Sequence, residues 1–125
     1  MSRLSEELRH RTRQFASDVI RFYVTLPRSR KEVEVLGHQL LRSGTSVAAH
    51  AREASRARSE AEFCSKVDGL LQEADESQLW LELLRDDCGI SGDSIERLLR
   101  ETGELLAIFT TMVSKLRKKG QQRQN

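Results

Sequence analysis

Seven residues in the middle of the chain, Phe63, Val67, Leu70, Ala74, Ser77, Leu81 and Leu84, recur at alternating steps of four and three. That spacing puts all seven on one seam of an α-helix and excludes the period of two that a half-buried strand needs. Three more stripes share the helical period. Leu4, Leu8, Phe15, Val19, Phe22 and Leu26 form the first. Val33, Leu36, Leu40, Ser43, Val47, Ala51 and Ala54 form the second, and Ile95, Leu98, Thr102, Leu105, Phe109, Met112 and Leu116 form the last. Punctuation separates them. Pro27 disfavours helical geometry in the residue before it. Ser29-Arg30-Lys31-Glu32 and Ser59-Glu60-Ala61-Glu62 read as capping boxes, in which a serine oxygen accepts the third amide and the glutamate reaches back. Cys88-Gly89-Ile90-Ser91-Gly92-Asp93 is the last break, with Ser91 as cap and Ile90 and Ile95 as a hydrophobic staple.

The spacing predicts helices over about 5–26, 30–57, 60–87 and 92–118, within one domain spanning 1–120. Residues 121–125 are expected to form a disordered tail. Short links between four amphipathic helices make an all-α, antiparallel up-down-up-down four-helix bundle. Its 125 residues suffice for one domain, and one proline and seven glycines disfavour a many-turned β-sandwich. The chain contains no apolar run of about 18 residues, so no membrane span is expected. The opening MSRLSEELRHRTR has no apolar signal core, which fits a cytoplasmic protein. Cys64 and Cys88, on one helix or its end, would stand roughly 36 Å apart, too far for an intrachain bridge.

Folding the second and third helices back on each other near Arg58 sets Val47 opposite Leu70, and Ser43 and Gly44 opposite Ala74. The small residues Ser43, Gly44, Ala48 and Ala51 would let the helices approach closely. In that register Arg42 lies near Asp75 and Glu76, so a structural ion pair among Arg42, Glu73 and Glu76 is expected. The third helix is also apolar on its back. On a wheel centred on Leu70, Leu79 falls near ~180° and Leu83 near ~220°, with Trp80 on the flank near about −80°. A helix apolar on two faces is usually buried on both, which places an oligomer interface at Leu79, Trp80 and Leu83.

Charge is segregated. Residues 1–31 carry a net +5, residues 32–58 +1, residues 59–87 −7 and residues 88–125 +3. In an even-numbered up-down bundle the chain's two ends share one end of the molecule. Arg3, Arg9, Arg11 and Arg13 would then converge with Lys115, Arg117, Lys118 and Lys119, and a patch of that kind binds phosphate backbones. No aromatics interleave with these basic residues, so base readout by stacking is not indicated.

The run Leu36-Gly37-His38-Gln39-Leu40-Leu41-Arg42-Ser43-Gly44-Thr45-Ser46-Val47 resembles the signature of the four-helix bundle proteins first described as 23S rRNA-intervening-sequence proteins. So do Arg52-Glu53-Ala54 with Ala57 and Ser59, Glu62-Phe63-Cys64-Ser65-Lys66, and Glu73-Ala74-Asp75-Glu76 running into Trp80-Leu81. The likeness covers roughly Phe15 to Leu116, and the accessory variability protein of diversity-generating retroelements is similar. The resemblance implies an antiparallel protomer, a homopentameric barrel with a central channel, no cofactor and no catalytic residue. For the retroelement branch it implies binding of nucleic acid and of a reverse transcriptase. Two departures stand out. Ala48-Ala49-His50 replaces a frequent Gly-Ala-Asn, and Leu79 replaces a tyrosine that often precedes the tryptophan.

The residues themselves suggest no reaction. A di-iron bundle site needs two Glu-x-x-His pairs and two further glutamates. This chain has one His50-x-x-Glu53 in the reverse order, so no metal is expected. No nucleophile set or phosphate loop has the context it needs, and no small-molecule substrate is implied. Two readings remain: a non-enzymatic oligomeric accessory protein that binds RNA, DNA or a ribonucleoprotein through basic helix ends, or a structural, protein-interaction assembly without nucleic acid.

Overall fold

The computed structural model describes residues 2–124. It contains four helices, α1 (Glu6–Thr25), α2 (Lys31–Ser55), α3 (Glu60–Asp86) and α4 (Asp93–Gln124), and no strand among the described residues. None of the helices is long and apolar enough to cross a membrane.

Local chemistry sets the helix ends. At α1, the Ser5 hydroxyl accepts the Leu8 N–H at 3.2 Å. The helix stops at Thr25 because Leu26, ahead of Pro27, turns extended. At α3, Ser59 accepts the Glu62 N–H at 3.1 Å, while the Glu62 carboxylate accepts the N–H of Arg58 at 3.3 Å rather than that of Ser59. The expected box at Ser29 does not form. Arg30 is the cap residue of α2 and makes no side-chain cap bond. Its guanidinium instead donates to Glu32 at 2.9 Å and to the Cys88 carbonyl at 2.9 Å, tying together the two loops at that end. Nor does α4 start from Ser91. The Gly92 carbonyl accepts the Glu96 N–H at 3.4 Å, and Gly92 sits at φ +119°, where a residue with a Cβ is strained. The helix then runs through Gln124, past the end expected near Gly120. Lysine and glutamine are good helix formers, and a single glycine costs about 1 kcal/mol. Only Asn125 of the expected tail lies outside the described residues.

The four stripes meet in one core. Phe15, Val19, Leu40, Val47, Leu70, Leu81, Leu84, Ile95, Leu105 and Phe109 are all essentially inaccessible. The buried hydroxyls are satisfied: the Thr12 hydroxyl donates to the Leu8 carbonyl, the Ser55 hydroxyl to the Arg52 carbonyl, the Thr102 hydroxyl to the Leu98 carbonyl, and Ser43 and Ser77 share a bond of 2.7 Å. Each helix packs against its chain neighbours and the ring closes between α1 and α4, with no close backbone approach between diagonal helices among the described residues. The α2–α3 seam is the most extensive and the α1–α4 seam the least.

The α2–α3 register differs from the expected one by two to three residues. Ser43 meets Ser77, His50 lies against Gly69, and Glu53 meets Lys66 at 3.0 Å. The chain turns back around Ser59 and Glu60 rather than at Arg58, because Ala57 is still packed into the core. Gly44 consequently serves a different neighbour. A Cβ there would come within 2.9 Å of both Val19 methyls, so its missing side chain lets α1, not α3, come close.

Candidate nucleic-acid interface

Three basic residues near the start of α1 go to different places. Arg9 and Arg13, four apart and so on one face, point to the α2 side. Arg11, between them, points to α4. There its guanidinium binds Glu101 through two bonds of 3.0 and 2.6 Å, with Glu104 at 3.7 Å. The hydrogen bonds to Glu101 push the Arg11 pKa above its usual value, so that charge is fixed and internally spent.

On the α2 side a groove of about 890 Å³ opens between α1, the end of α2 and the start of α3. Arg9 and Arg13 line one wall, Arg52 and Arg56 the other, and Arg58 and Lys66 the end, over a floor that includes Ala48 and Ala49. Arg52 and Arg56 are again four apart, which puts both on the groove side of α2. Three acids also line it. Glu53 binds Lys66 at 3.0 Å and Glu62 accepts a backbone N–H; Glu6 is exposed. The guanidinium groups of Arg9, Arg13, Arg52, Arg56 and Arg58 are exposed and have neither an ion pair nor a side-chain hydrogen bond among the described residues. Five uncompensated arginines around a floor of small residues make a site for a multivalent oxyanion.

The expected basic residues divide accordingly. Arg9 and Arg13 belong to the groove. Arg3 is held at its edge, with its backbone N–H donating to the Ser55 carbonyl at 3.2 Å and its Nε to the Ala57 carbonyl at 3.0 Å. Arg11 belongs to the α1–α4 seam. The run at the end of α4 lies over α3: Arg117 binds Asp68 at 2.6 Å, and this bond raises its pKa. Lys115, Lys118 and Lys119 are exposed. Arg9 and Arg13 thus line the α1–α2 groove, while Arg117 lines a second depression beside Asp68 on α3. Arg52, Arg56, Arg58 and Lys66 were not among the residues expected from sequence. The signal was the i,i+4 pair Arg52 and Arg56 off the core stripe. Glu32 and Glu34, at the far end of the same helix, cancel it in any segment-wide charge count.

The other expected positions divide too. Leu79 is 46% exposed, Leu83 is half-buried, and Trp80 is half-buried with its Nε1 inaccessible and without an acceptor. Ile20, Val24 and Val35 are further exposed apolar residues that the sequence argument did not single out. The ion pair expected of Arg42 is absent among the described residues. Arg42 is exposed, and the shift of two to three residues carries it past Glu73 and Glu76, which stay half-buried on α3. His50 Nδ1 is buried without a hydrogen-bond partner, with the Glu53 carboxylate at 3.9 Å. Among the described residues no group of three or more His, Cys, Asp and Glu side chains could hold a metal ion.

The model of one protein family, 23S rRNA-intervening sequence protein, matches residues 6–111. A crystal structure of a protein of unknown function from the S23 ribosomal protein family of Bacteroides thetaiotaomicron is similar to this chain. The two share 31% identity over 84% of this chain and 96% of that one, with a TM-score of 0.76. No curated protein matches.

Proposed function

The chain belongs to the 23S rRNA-intervening sequence protein family, and from that premise we propose that it is a non-enzymatic accessory protein that binds nucleic acid, free or in a ribonucleoprotein, through the α1–α2 groove. One observation carries the reading: five exposed arginines, Arg9, Arg13, Arg52, Arg56 and Arg58, surround one groove with no acid bound to any of them. A structural, protein-interaction assembly would instead spend these arginines on acidic faces of neighbouring chains, and within the chain only basic residues such as Arg11 and Arg117 are matched. The groove arginines are not matched. A polyanion that displaces their counterions gains affinity with a steep salt dependence.

The protomer is read as antiparallel and up-down-up-down. Arg3 beside Ser55 and Ala57, Val19 against Gly44 and Leu26 against Gly37 support that direction for α1 and α2. Ser43 at Ser77 and Glu53 at Lys66 support it for α2 and α3. Assembly as a homopentamer in the cytoplasm, with a nucleic-acid enzyme such as a reverse transcriptase as partner, completes the proposal. The exposed Leu79 supports a subunit contact there.

Two measurements test this. Labelled RNA and DNA titrated across a salt series should bind at low salt and be released as salt rises; no binding at low salt overturns the reading. Light scattering on a size-exclusion column should give a mass near five protomers, and Leu79→Glu with Leu83→Glu should lower it. A monomeric wild type removes the pentamer.

A further inference from the structure

The chain has six aromatic residues outside histidine. Phe15, Phe22, Phe63 and Phe109 are buried in the core, and Tyr23 and Trp80 pack against it. None lines the basic groove, whose only ring is His10, an exposed residue shared with the neighbouring α1–α4 groove. The floor offers alanine methyls to whatever enters. Proteins that favour single strands combine a positive groove with aromatic platforms, because each stacked base contributes about 1–3 kcal/mol that a paired base cannot give. This groove has the charge without the platforms.

What remains is the guanidinium array. Arg9 and Arg13 stand about 6 Å apart along α1, and Arg52 and Arg56 about 6 Å apart along α2. Packed helices run roughly 8–10 Å apart, so the arginines form two rails with the alanines between them. Such rails grip phosphates, and no aromatic platform stands between them to stack a base. Binding of this kind follows the axial charge density of the ligand. A duplex carries a charge about every 1.7 Å, and counterion release per contact is larger for it, about 0.9 against about 0.7 for a single strand.

We infer that the groove is a sequence-blind reader of double-stranded phosphodiester backbone, preferring a duplex to either of its separated strands. This rests on the nucleic-acid reading above and deepens it. Duplex RNA and duplex DNA share the recognised chemistry, and separate arms of the test distinguish them.

The test is a fluorescence-anisotropy titration of the whole chain with a labelled duplex and with each of its strands, in DNA and in RNA, for two unrelated sequences. The expected result is tighter binding of a duplex than of its strands, equal affinity for both sequences, and a log–log salt slope of about −4.5 if all five arginines engage. Between 50 and 200 mM salt that slope is a loss of about several hundredfold. Arg52→Gln, at an exposed helix position, should lower the slope on a duplex by about one unit. Single strands binding as tightly as duplex or tighter, or a marked difference between sequences, overturns the inference while leaving nucleic-acid binding intact. No binding by any arm overturns the underlying reading as well. Circular dichroism on Arg52→Gln confirms a helical fold, and Arg56→Gln supplies the same slope test if that variant does not fold.

Discussion

Along one stretch of α1, Arg9 and Arg13 face α2 while Arg11, between them, faces α4. The α4 side is closed by chemistry. Arg11 holds Glu101 in a two-point pair about 70% shielded on both partners, along the seam where the helices pack least. The α2 side is closed by shape. Gly44 lets α1 settle on α2 over Val19, and above that close approach the arginines on both helices are left without acids. The lesson is that a basic cluster in sequence is not one functional unit. Helical phase separates charges that serve the fold from charges that remain available to a ligand, two residues apart.

The largest expected effect strikes the shape-closed side. Gly44→Leu would push its side chain into the stiff, β-branched Val19, and overpacking of this kind costs about 1–3 kcal/mol. For a chain of this size that lowers the thermal midpoint by roughly 4–12 °C. It should also weaken nucleic-acid binding, because the two rails move apart. A melt and a titration on the same sample check both. If stability falls and affinity does not, the rails do not act together.

The chemistry-closed side should respond in one readout only. Arg11→Ala strands the half-buried Glu101 carboxylate and should cost about 1 kcal/mol, a few degrees in Tm. Its nucleic-acid affinity should match wild type within about twofold, since its charge was already neutralised.

Ser43→Ala sits under neither groove and should cost less than about 1 kcal/mol, because Ser77 keeps its bond to the Glu73 carbonyl at 2.9 Å. A melt that falls by much more would mean that the Ser43–Ser77 contact fixes the α2–α3 register.

The smallest effect is a pH dependence at the loop end, away from both grooves. The Glu32 carboxylate is held below its ordinary 4.5, chiefly by a backbone N–H and then by Arg30, and the Asp86 carboxylate below its ordinary 3.8 by Arg85. Depressed carboxylates add stability above their ordinary values, and that stability is lost as pH falls through the lowered ones. Both groups are exposed, so melts taken from pH 5 downward should differ only slightly between wild type and Glu32→Gln, with the variant the flatter.

Most of the fold is legible in the sequence. The heptad from Phe63 to Leu84 is buried at every position, and Pro27, Ser59 and the two glycines near residue 90 punctuate the chain where they should. Phase carries over because the helical period is rigid. Register does not, since it depends on how many loop residues pack: Ala57 tucks into the core, the facing register shifts by two to three residues, and with it Arg42 passes its expected acids. The site is half legible for the same reason. Arg9 and Arg13 could be named from their own helix. Their partners Arg52 and Arg56 come from a different helix, where acids at its far end hide them in the segment total. Which groove an arginine enters depends on which neighbour lies beside it, and that is tertiary information.

The most direct measurement sets the two sides of α1 against each other. Duplex affinity at one low salt concentration is compared for wild type, Arg11→Gln and the triple variant Arg13→Gln, Arg52→Gln, Arg56→Gln, each confirmed folded by its melt. Arg11→Gln is expected to keep wild-type affinity and the triple variant to lose at least about a hundredfold. Equal losses in both, or an unchanged triple variant, would contradict that expectation.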